Sequence, residues 1–369
     1  MSEFRCELVK TVDNSYNIEI GRNLEDKLIS DISSGMFGDI KNFAVITDTN
    51  VLKLYGAKIC DMLINKGYHA HLFAIQAGEL SKTRETKGFV EDSMLGSGLR
   101  RDCMVVAVGG GVVSDLAGFV AGTFGRGVPF VIYSTTLLSA ADASIGGKVA
   151  VDTALATNQI GMFNQPKKVY VDIASWMSLP EREIRSGLAE TIKHACIGDK
   201  EFFEYLEKNI EKVFTFDFGV CEHVAERNCN VKYNIVMRDE LEQDLRSTLN
   251  LGHSVGRALE TASGYKMLHG EAVAVGLVAQ LRLGERYGYI SHENAKRVED
   301  LLKRVGLPTR IPENIRKELI IDKLYTDKKV RNGKLRFVFQ KEIGEMMCFD
   351  GCYTKEVEES EVAAVITQL

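Results

Sequence analysis

Glu190, His253 and His269 have the residue types best suited to metal chemistry. Two imidazoles and one carboxylate form a set that zinc accepts while keeping a position open for water or substrate. No HExxH run is present, so the three would have to converge from separate elements, and spacing alone does not unite them. A second chemical feature is VVAVGGGVVSDLAGFVAG, an apolar strand running into Gly109, Gly110 and Gly111. A helix is expected next, with Asp115 in its first turn. Such a turn lets the backbone approach a pyrophosphate, and the helix N-terminus supplies free N–H donors. It matches neither GxGxxG nor the GxxxxGK[ST] phosphate loop, and a tight turn without a ligand is the other reading. Asp48 closes an earlier strand, where an acid can bond a ribose hydroxyl or cap the following turn, and Asn50 follows it. Glu79 and Lys82 stand at the end of the next strand.

A third feature is STTLLSAADASIGGKVAVDT, too polar and glycine-rich for a core element. It gathers Asp142, Ser144, Gly146, Gly147 and Lys148, and the lysine after two glycines is placed to meet an anion or to stand in solvent. Arg126, between Gly125 and Gly127, is a similar candidate. Further on, Glu190 and Lys193 share one helical face, and Arg257 follows His253 by one turn.

The elements that must position these groups change character along the chain. Short apolar runs at Asn42–Asp48, Ala70–Gln76, Cys103–Val108 and Pro129–Thr136 alternate with helical spacing at 51–66 and 83–96. Alternation of this kind implies an α/β architecture with a parallel sheet covered on both faces. Residues 6–20 alternate like a β-hairpin. From about Pro180 the apolar residues recur at three- and four-residue spacing, giving helices over 202–213, 220–236, 254–263 and 271–287. A strand pair is expected at 334–339 and 345–349. Two domains follow: an α/β unit over 1–178 and a mainly α-helical unit over 179–369.

Composition narrows the function classes. The net charge of −5 argues against general nucleic-acid binding. No run of 18 apolar residues and no leader-like start is present, so neither a membrane span nor export is expected. Eight scattered cysteines without a CxxC pair suit a reducing cytoplasm.

The motifs in order are GGGVVSDLAGFVA, TFGRGV, STTLL, ADASIGGK, NQIGMFNQP, LPEREIRSGLAETIK, DELEQDLRSTLNLGHS, LHGEAVAVG and DKK. Together they resemble the 3-dehydroquinate synthase family of sugar-phosphate cyclases over about residues 48–339. The resemblance implies an N-terminal Rossmann-like domain that binds NAD and a mainly α-helical C-terminal domain that binds metal, with the site between them. It implies zinc, with cobalt as an alternative, on Glu190, His253 and His269. Asp48, Asn50, Glu79, Lys82, Gly110, Gly111, Asp115, Thr135 and Thr136 would line the NAD site. Asp142, Lys148, Asn158, Lys193, Lys232, Glu242, Arg246, Asn250 and one of Lys328 and Lys329 would face a small anionic sugar phosphate. Family members are commonly homodimers, with the arginine matching Arg126 reaching into the neighbouring site.

The implied reaction converts 3-deoxy-D-arabino-heptulosonate 7-phosphate to 3-dehydroquinate and phosphate, in the shikimate pathway. NAD would take a hydride and return it. Two positions depart from the family pattern: Arg257 stands where a second histidine of GHxxGH is usual, and Thr157 where lysine precedes the asparagine of NxIG. Arginine keeps the charge but does not titrate near neutrality, so it suits holding phosphate rather than shuttling a proton. The alternatives are a cyclase for another sugar phosphate, an NAD-linked metal-dependent alcohol or glycerol-phosphate dehydrogenase, and a non-catalytic paralogue.

Overall fold

A computed structural model describes residues 12–324 and 334–369. Its strands in the first half are β1 (Asn17–Gly21), β2 (Asn42–Asp48), β3 (His69–Ile75), β4 (Cys103–Gly109), β5 (Phe130–Ser134), β6 (Lys148–Val151), β7 (Ile160–Phe163) and β8 (Lys168–Asp172). Six of them form one sheet in the order β1-β8-β5-β4-β2-β3. Every pairing in that sheet is parallel. β6 and β7 form a separate antiparallel pair.

Parallel strands lie under helices on both faces, so they read as near-continuous apolar runs. β4 follows the rule: CMVVAVG is buried at every residue. On one face α1 (Glu25–Ser33) and α2 (Ala57–Asn65) pack Leu28, Ile59 and Leu63 against Val45, Val106 and Tyr133. On the other, α3 (Arg84–Gly96) and α4 (Gly111–Thr123) pack Val90, Met94, Leu116 and Val120 against Val105 and Ile132.

The chain beyond residue 180 is mainly helical, as its spacing predicts. It forms α5 (Glu181–Gly198), α6 (Lys200–Asn209), α7 (Glu211–Phe214), α8 (Phe218–Arg238), α9 (His253–Ala262), α10 (His269–Arg286), α11 (His292–Arg304), α12 (Lys317–Leu324) and, after short strands, α13 (Glu359–Gln368). Ile184, Leu188 and Ile192 of α5 belong to the same apolar cluster as α4, so one core runs from the sheet into the helices.

Three local expectations change. Residues 17–21 do not pair as a hairpin: β1 lies in parallel against β8 at the sheet edge. Residues 6–11 of that expected hairpin lie outside the described residues. Near the C-terminus the strands are β9 (Leu335–Val338), β10 (Gln340–Glu342), β11 (Glu345–Met346) and β12 (Thr354–Val357). β9 pairs with β12 rather than with 345–349, while β10 and β11 make a short hairpin. In both cases alternation marks a strand but carries no information about its partner. Asp115 sits one turn into α4, because the helix starts at Gly111. Among the described residues, no helix is long and apolar enough to cross a membrane.

The strand order places a switch point between β2 and β4: from β2 the chain moves to β3 on one side, then returns to β4 on the other. Loops leaving the carboxyl ends of such strands diverge and open a crevice, the usual ligand position in an open α/β sheet. Asp48 and Gly109 end the two flanking strands.

Candidate active site

The crevice is floored by the glycine turn. Gly109 and Gly110 have ordinary negative φ, so close packing rather than a left-handed backbone demands glycine there. A Cβ at Gly109 would lie 2.9 Å from Val113 Cβ, and one at Gly110 would lie 3.0 Å from Thr136 Cγ2. The 13-residue α4 therefore opens with its N–H groups at the sheet's carboxyl edge. Asp48 Oδ1 accepts from the N–H groups of Asn50 and Val51 at 2.8 and 2.9 Å, so it caps the turn after β2. Thr136 Oγ1 accepts from Ser139 N at 3.0 Å, while the Thr135 hydroxyl is buried without a partner among the described residues. Lys82 is buried, with its ammonium 2.5 Å from Asp115 Oδ2, 2.7 Å from Asn158 Oδ1 and 3.5 Å from Glu79. Burial alone would lower its pKa, but Asp115 and Glu79 outweigh that and raise it.

Beside the turn, where the helices meet the sheet, lies a cavity of about 470 Å³. It is lined by Asp115, Asp142, Lys148, Asn158, Lys193, Lys232, Glu242, Arg246, Asn250, His253 and Arg257, so nearly all the expected substrate-facing residues are brought together. Of the three acids in this lining, Asp115 meets Lys82, and Asp142 and Glu242 are shared among the cavity's cations. Lys148 Nζ is 2.6 Å from Glu242 Oε2, and Asn250 donates to Glu242 Oε1 at 2.9 Å. Glu242 holds a positive φ of 58°, a conformation that non-glycine residues keep only where their surroundings enforce it. Lys232 meets Asp142 Oδ1 at 2.6 Å. Burial would raise the Asp142 carboxyl, but Lys232 and Lys193 hold it well below the usual range. Arg246 is buried, and it donates to Gly146 O at 2.9 Å and to Glu240 O. Its Nε has no acceptor among the described residues.

At one end of this cavity α5, α9 and α10 bring Glu190, His253 and His269 together, with their ligand atoms all within 4.8 Å of one another. Glu190 Oε1 lies 3.6 Å from His253 Nε2 and 3.5 Å from His269 Nε2. Ligands about 2.0–2.2 Å from a tetrahedral zinc ion stand roughly 3.3–3.6 Å apart, so the spacing suits one. Glu190 is fully buried, and among the described residues neither carboxylate oxygen has a hydrogen-bond donor, although the Lys193 ammonium touches Oε2. The outward nitrogens are committed elsewhere. His253 Nδ1 donates to Leu251 O at 3.2 Å, and His269 Nδ1 to Glu260 Oε1 at 3.1 Å. Both Nε2 atoms therefore face the centre. Burial, reinforced by Lys193, holds His253 well below its usual pKa and neutral. Burial also opposes charge on His269, but Glu260 and Glu190 prevail and push it up to about 10. The residues present thus fit a divalent cation. Asp142, Glu190 and His194 also lie close together, but Asp142 is already met by Lys232.

Glu260 was not a site candidate from sequence. The available signal was its place seven residues after His253 on α9, two turns along the same face. Thr157 and Arg257, the two departures from the family pattern, line one small cleft adjoining the main cavity, with Gln159 and Tyr265. Arg126 is exposed and borders neither. Lys328 and Lys329 lie outside the described residues.

Models of the family match the chain as 3-dehydroquinate synthase N-terminal over residues 72–186 and 3-dehydroquinate synthase C-terminal over 187–330. The 3-dehydroquinate synthase of Desulforamulus reducens is 43% identical over 357 residues, 96% of this chain and 98% of the relative. That of Acetivibrio thermocellus is 42% identical over 304 residues, 82% of this chain and 84% of the relative. Among solved structures, the 2-epi-5-epi-valiolone synthase of Streptomyces hygroscopicus, with NAD+ and Zn2+ bound, has a TM-score of 0.87 at 27% identity and covers 99% of both chains. The NADH-dependent butanol dehydrogenase A of Thermotoga maritima shares the fold at a TM-score of 0.69 and 15% identity, over 97% of this chain and 98% of that one.

Proposed function

The chain belongs to the 3-dehydroquinate synthase family, and on that premise we propose that it converts 3-deoxy-D-arabino-heptulosonate 7-phosphate to 3-dehydroquinate and phosphate. In this reading it is a carbon–oxygen lyase of the shikimate pathway, working in the cytoplasm as a homodimer. Its NAD-binding unit spans 1–178 and its metal- and substrate-binding unit 179–369. NAD would lie over the glycine turn, among Asp48, Asn50, Glu79, Lys82, Gly110, Gly111, Asp115, Thr135 and Thr136. Zinc, or cobalt, would be held by Glu190, His253 and His269. When bound, the metal would polarise a substrate hydroxyl as a Lewis acid, and NAD would take the hydride from the carbon bearing that hydroxyl and later return it.

The observation that supports the reading is the density of cations around one cavity, Lys193, Lys232 and Arg246 among them buried, beside a Glu–His–His cluster able to hold a metal. A substrate with a carboxylate and a dianionic phosphate needs several fixed cations, and Lys148, Lys193, Lys232, Arg246 and Arg257 supply them. Arg246 and Lys232 bear on substrate class. Both are buried, and burial depresses the pKa of each, so an anion between them relieves a desolvation cost. A sugar phosphate without a carboxylate would leave that cost in place. Glu242 and Asn250 orient Lys148, and Asp142 orients Lys232, so the cations are fixed before substrate arrives. Arg257 takes the phosphate end, where its guanidinium can make a bidentate contact that imidazole cannot.

Purified protein incubated with the heptulosonate phosphate, NAD and zinc should release phosphate and form the carbocyclic product. Absence of phosphate release would sink the reading. NADH accumulating one for one with product would point to the dehydrogenase alternative instead.

A further inference from the structure

Tyr16 lies in the stretch leading into β1, far in sequence from every residue named in the cavity. Its ring packs against the main apolar cluster, which by itself would make it an ordinary core aromatic. Its hydroxyl does something more specific. It accepts a hydrogen bond from Gly146 N at 3.0 Å. The carbonyl of the same residue accepts from Arg246 Nη2 at 2.9 Å. Gly146 is thus gripped from both sides, by the phenol at its N–H and by the guanidinium at its C=O. It has a φ of +92°, and a Cβ there would collide with the Arg246 guanidinium and lie 2.9 Å from Val236. Lys148, another cavity cation, is two residues further along.

The same N-terminal stretch reaches the other side of Arg246. Asn14 Nδ2 donates to Glu240 Oε1 at 3.0 Å, where Gln165 Nε2 also donates at 2.9 Å. The Glu240 carbonyl then accepts from Arg246 Nη1. The two residues whose main-chain carbonyls orient the buried guanidinium are therefore tethered at other atoms, Gly146 by Tyr16 at its N–H and Glu240 by Asn14 at its carboxylate. Each carbonyl carries only a partial charge, so the aim of the cation depends on how firmly these carbonyls are placed.

We propose that Tyr16 is a positioning residue for substrate binding: by anchoring Gly146 through its N–H it fixes the turn whose next carbonyl sets the direction of the Arg246 guanidinium toward the anionic end of the substrate. The role rests on the functional reading above.

Tyr16→Phe removes only the hydroxyl and keeps the ring. A Gly146 N–H without its acceptor leaves the turn free to shift, and loss of that bond should raise KM for the heptulosonate phosphate about 5–50-fold. The turnover number should stay within about twofold, and NAD affinity should not change. Asn14→Ala should move KM in the same direction by less. Tyr133→Phe is the control, because the Tyr133 hydroxyl donates to Asp172 Oδ2 at 2.5 Å in the core beside the sheet, outside the cavity. It should lower the melting temperature and leave KM alone. An active wild type whose KM is unmoved by Tyr16→Phe overturns this role and leaves the function standing. So does a variant that loses NAD binding and substrate binding equally. A wild type that does not turn the substrate over at all overturns the functional reading, and this role with it.

Discussion

Metal affinity should depend steeply on pH, and Glu260 should set the slope. In the metal-free protein the Glu260 and Glu190 carboxylates overcome burial and push His269 up to about 10. A metal must therefore displace a proton from His269 Nε2 before that nitrogen can act as a ligand. At pH 7 the proton competes over about three pH units, which weakens apparent affinity on the order of a thousandfold relative to pH 10. Apparent Kd for zinc should accordingly fall about tenfold for each unit of rising pH between 6.5 and 8.5. Glu260→Gln keeps a hydrogen-bond acceptor near Nδ1 but removes the charge. Two effects then oppose each other. Loss of the orienting carboxylate should weaken intrinsic affinity about 10–100-fold. Loss of its charge lowers the His269 pKa and relieves the proton competition. The variant should therefore show a shallower slope, with its deficit largest at the alkaline end. Competition titrations with a zinc-buffering chelator, corrected for its own protonation, measure both curves. A flat wild-type curve, or a Glu260→Gln curve parallel to the wild type, would refute the reasoning. Equal metal content in His269→Ala and wild type would remove its starting point.

Arg257→Ala should raise KM for the sugar phosphate about 10–100-fold while leaving NAD affinity within about twofold. Arg257→His should keep turnover and add a pH dependence near neutrality, and unchanged constants in both variants would place the side chain outside the reaction. NAD should work at concentrations far below those of substrate, tested by counting phosphate released per NAD supplied; a ceiling of one turnover per NAD would contradict hydride return. Asp152 gives a stability test in the ligand-free protein. Burial, aided by Glu79 and opposed by Lys82, raises its carboxyl from 3.8 to about 6. A raised folded-state pKa contributes stability that is complete below about pH 4 and lost as pH rises through about 6. Asp152→Asn never makes that loss, so its melting temperature should exceed wild type at pH 8 and converge with it near pH 4. A gap that widens on acidification would contradict the sign.

Much of the local structure was legible because its cause is local. Asn42–Asp48 reads as a strand from an apolar run alone, and the structure begins and ends it at those residues. The helices after residue 180 follow from three- and four-residue apolar spacing, since the buried stripe of a helix is written along its own sequence. Motif order, a property of the sequence as well, led to the family that the relatives bear out.

Pairing and convergence could not be read that way. β1 found its partner in β8, at the far side of the sheet-forming half, and β9 chose β12 over the nearer 345–349. The alternating period says which face of a strand is apolar, while the choice of neighbour is made by the packing of the whole layer. Glu190, His253 and His269 carried no spacing signal, because their common point is created only when α5, α9 and α10 pack together. Glu260 belongs to none of the motifs, yet its carboxylate is 3.1 Å from His269 of the candidate metal cluster. The sequence by itself determined which segments would be strands and helices and which residue types the chemistry could draw on. Only the tertiary structure decided which of them would share a cavity, because a side chain's electrostatic partners are its neighbours in space and tertiary packing selects them.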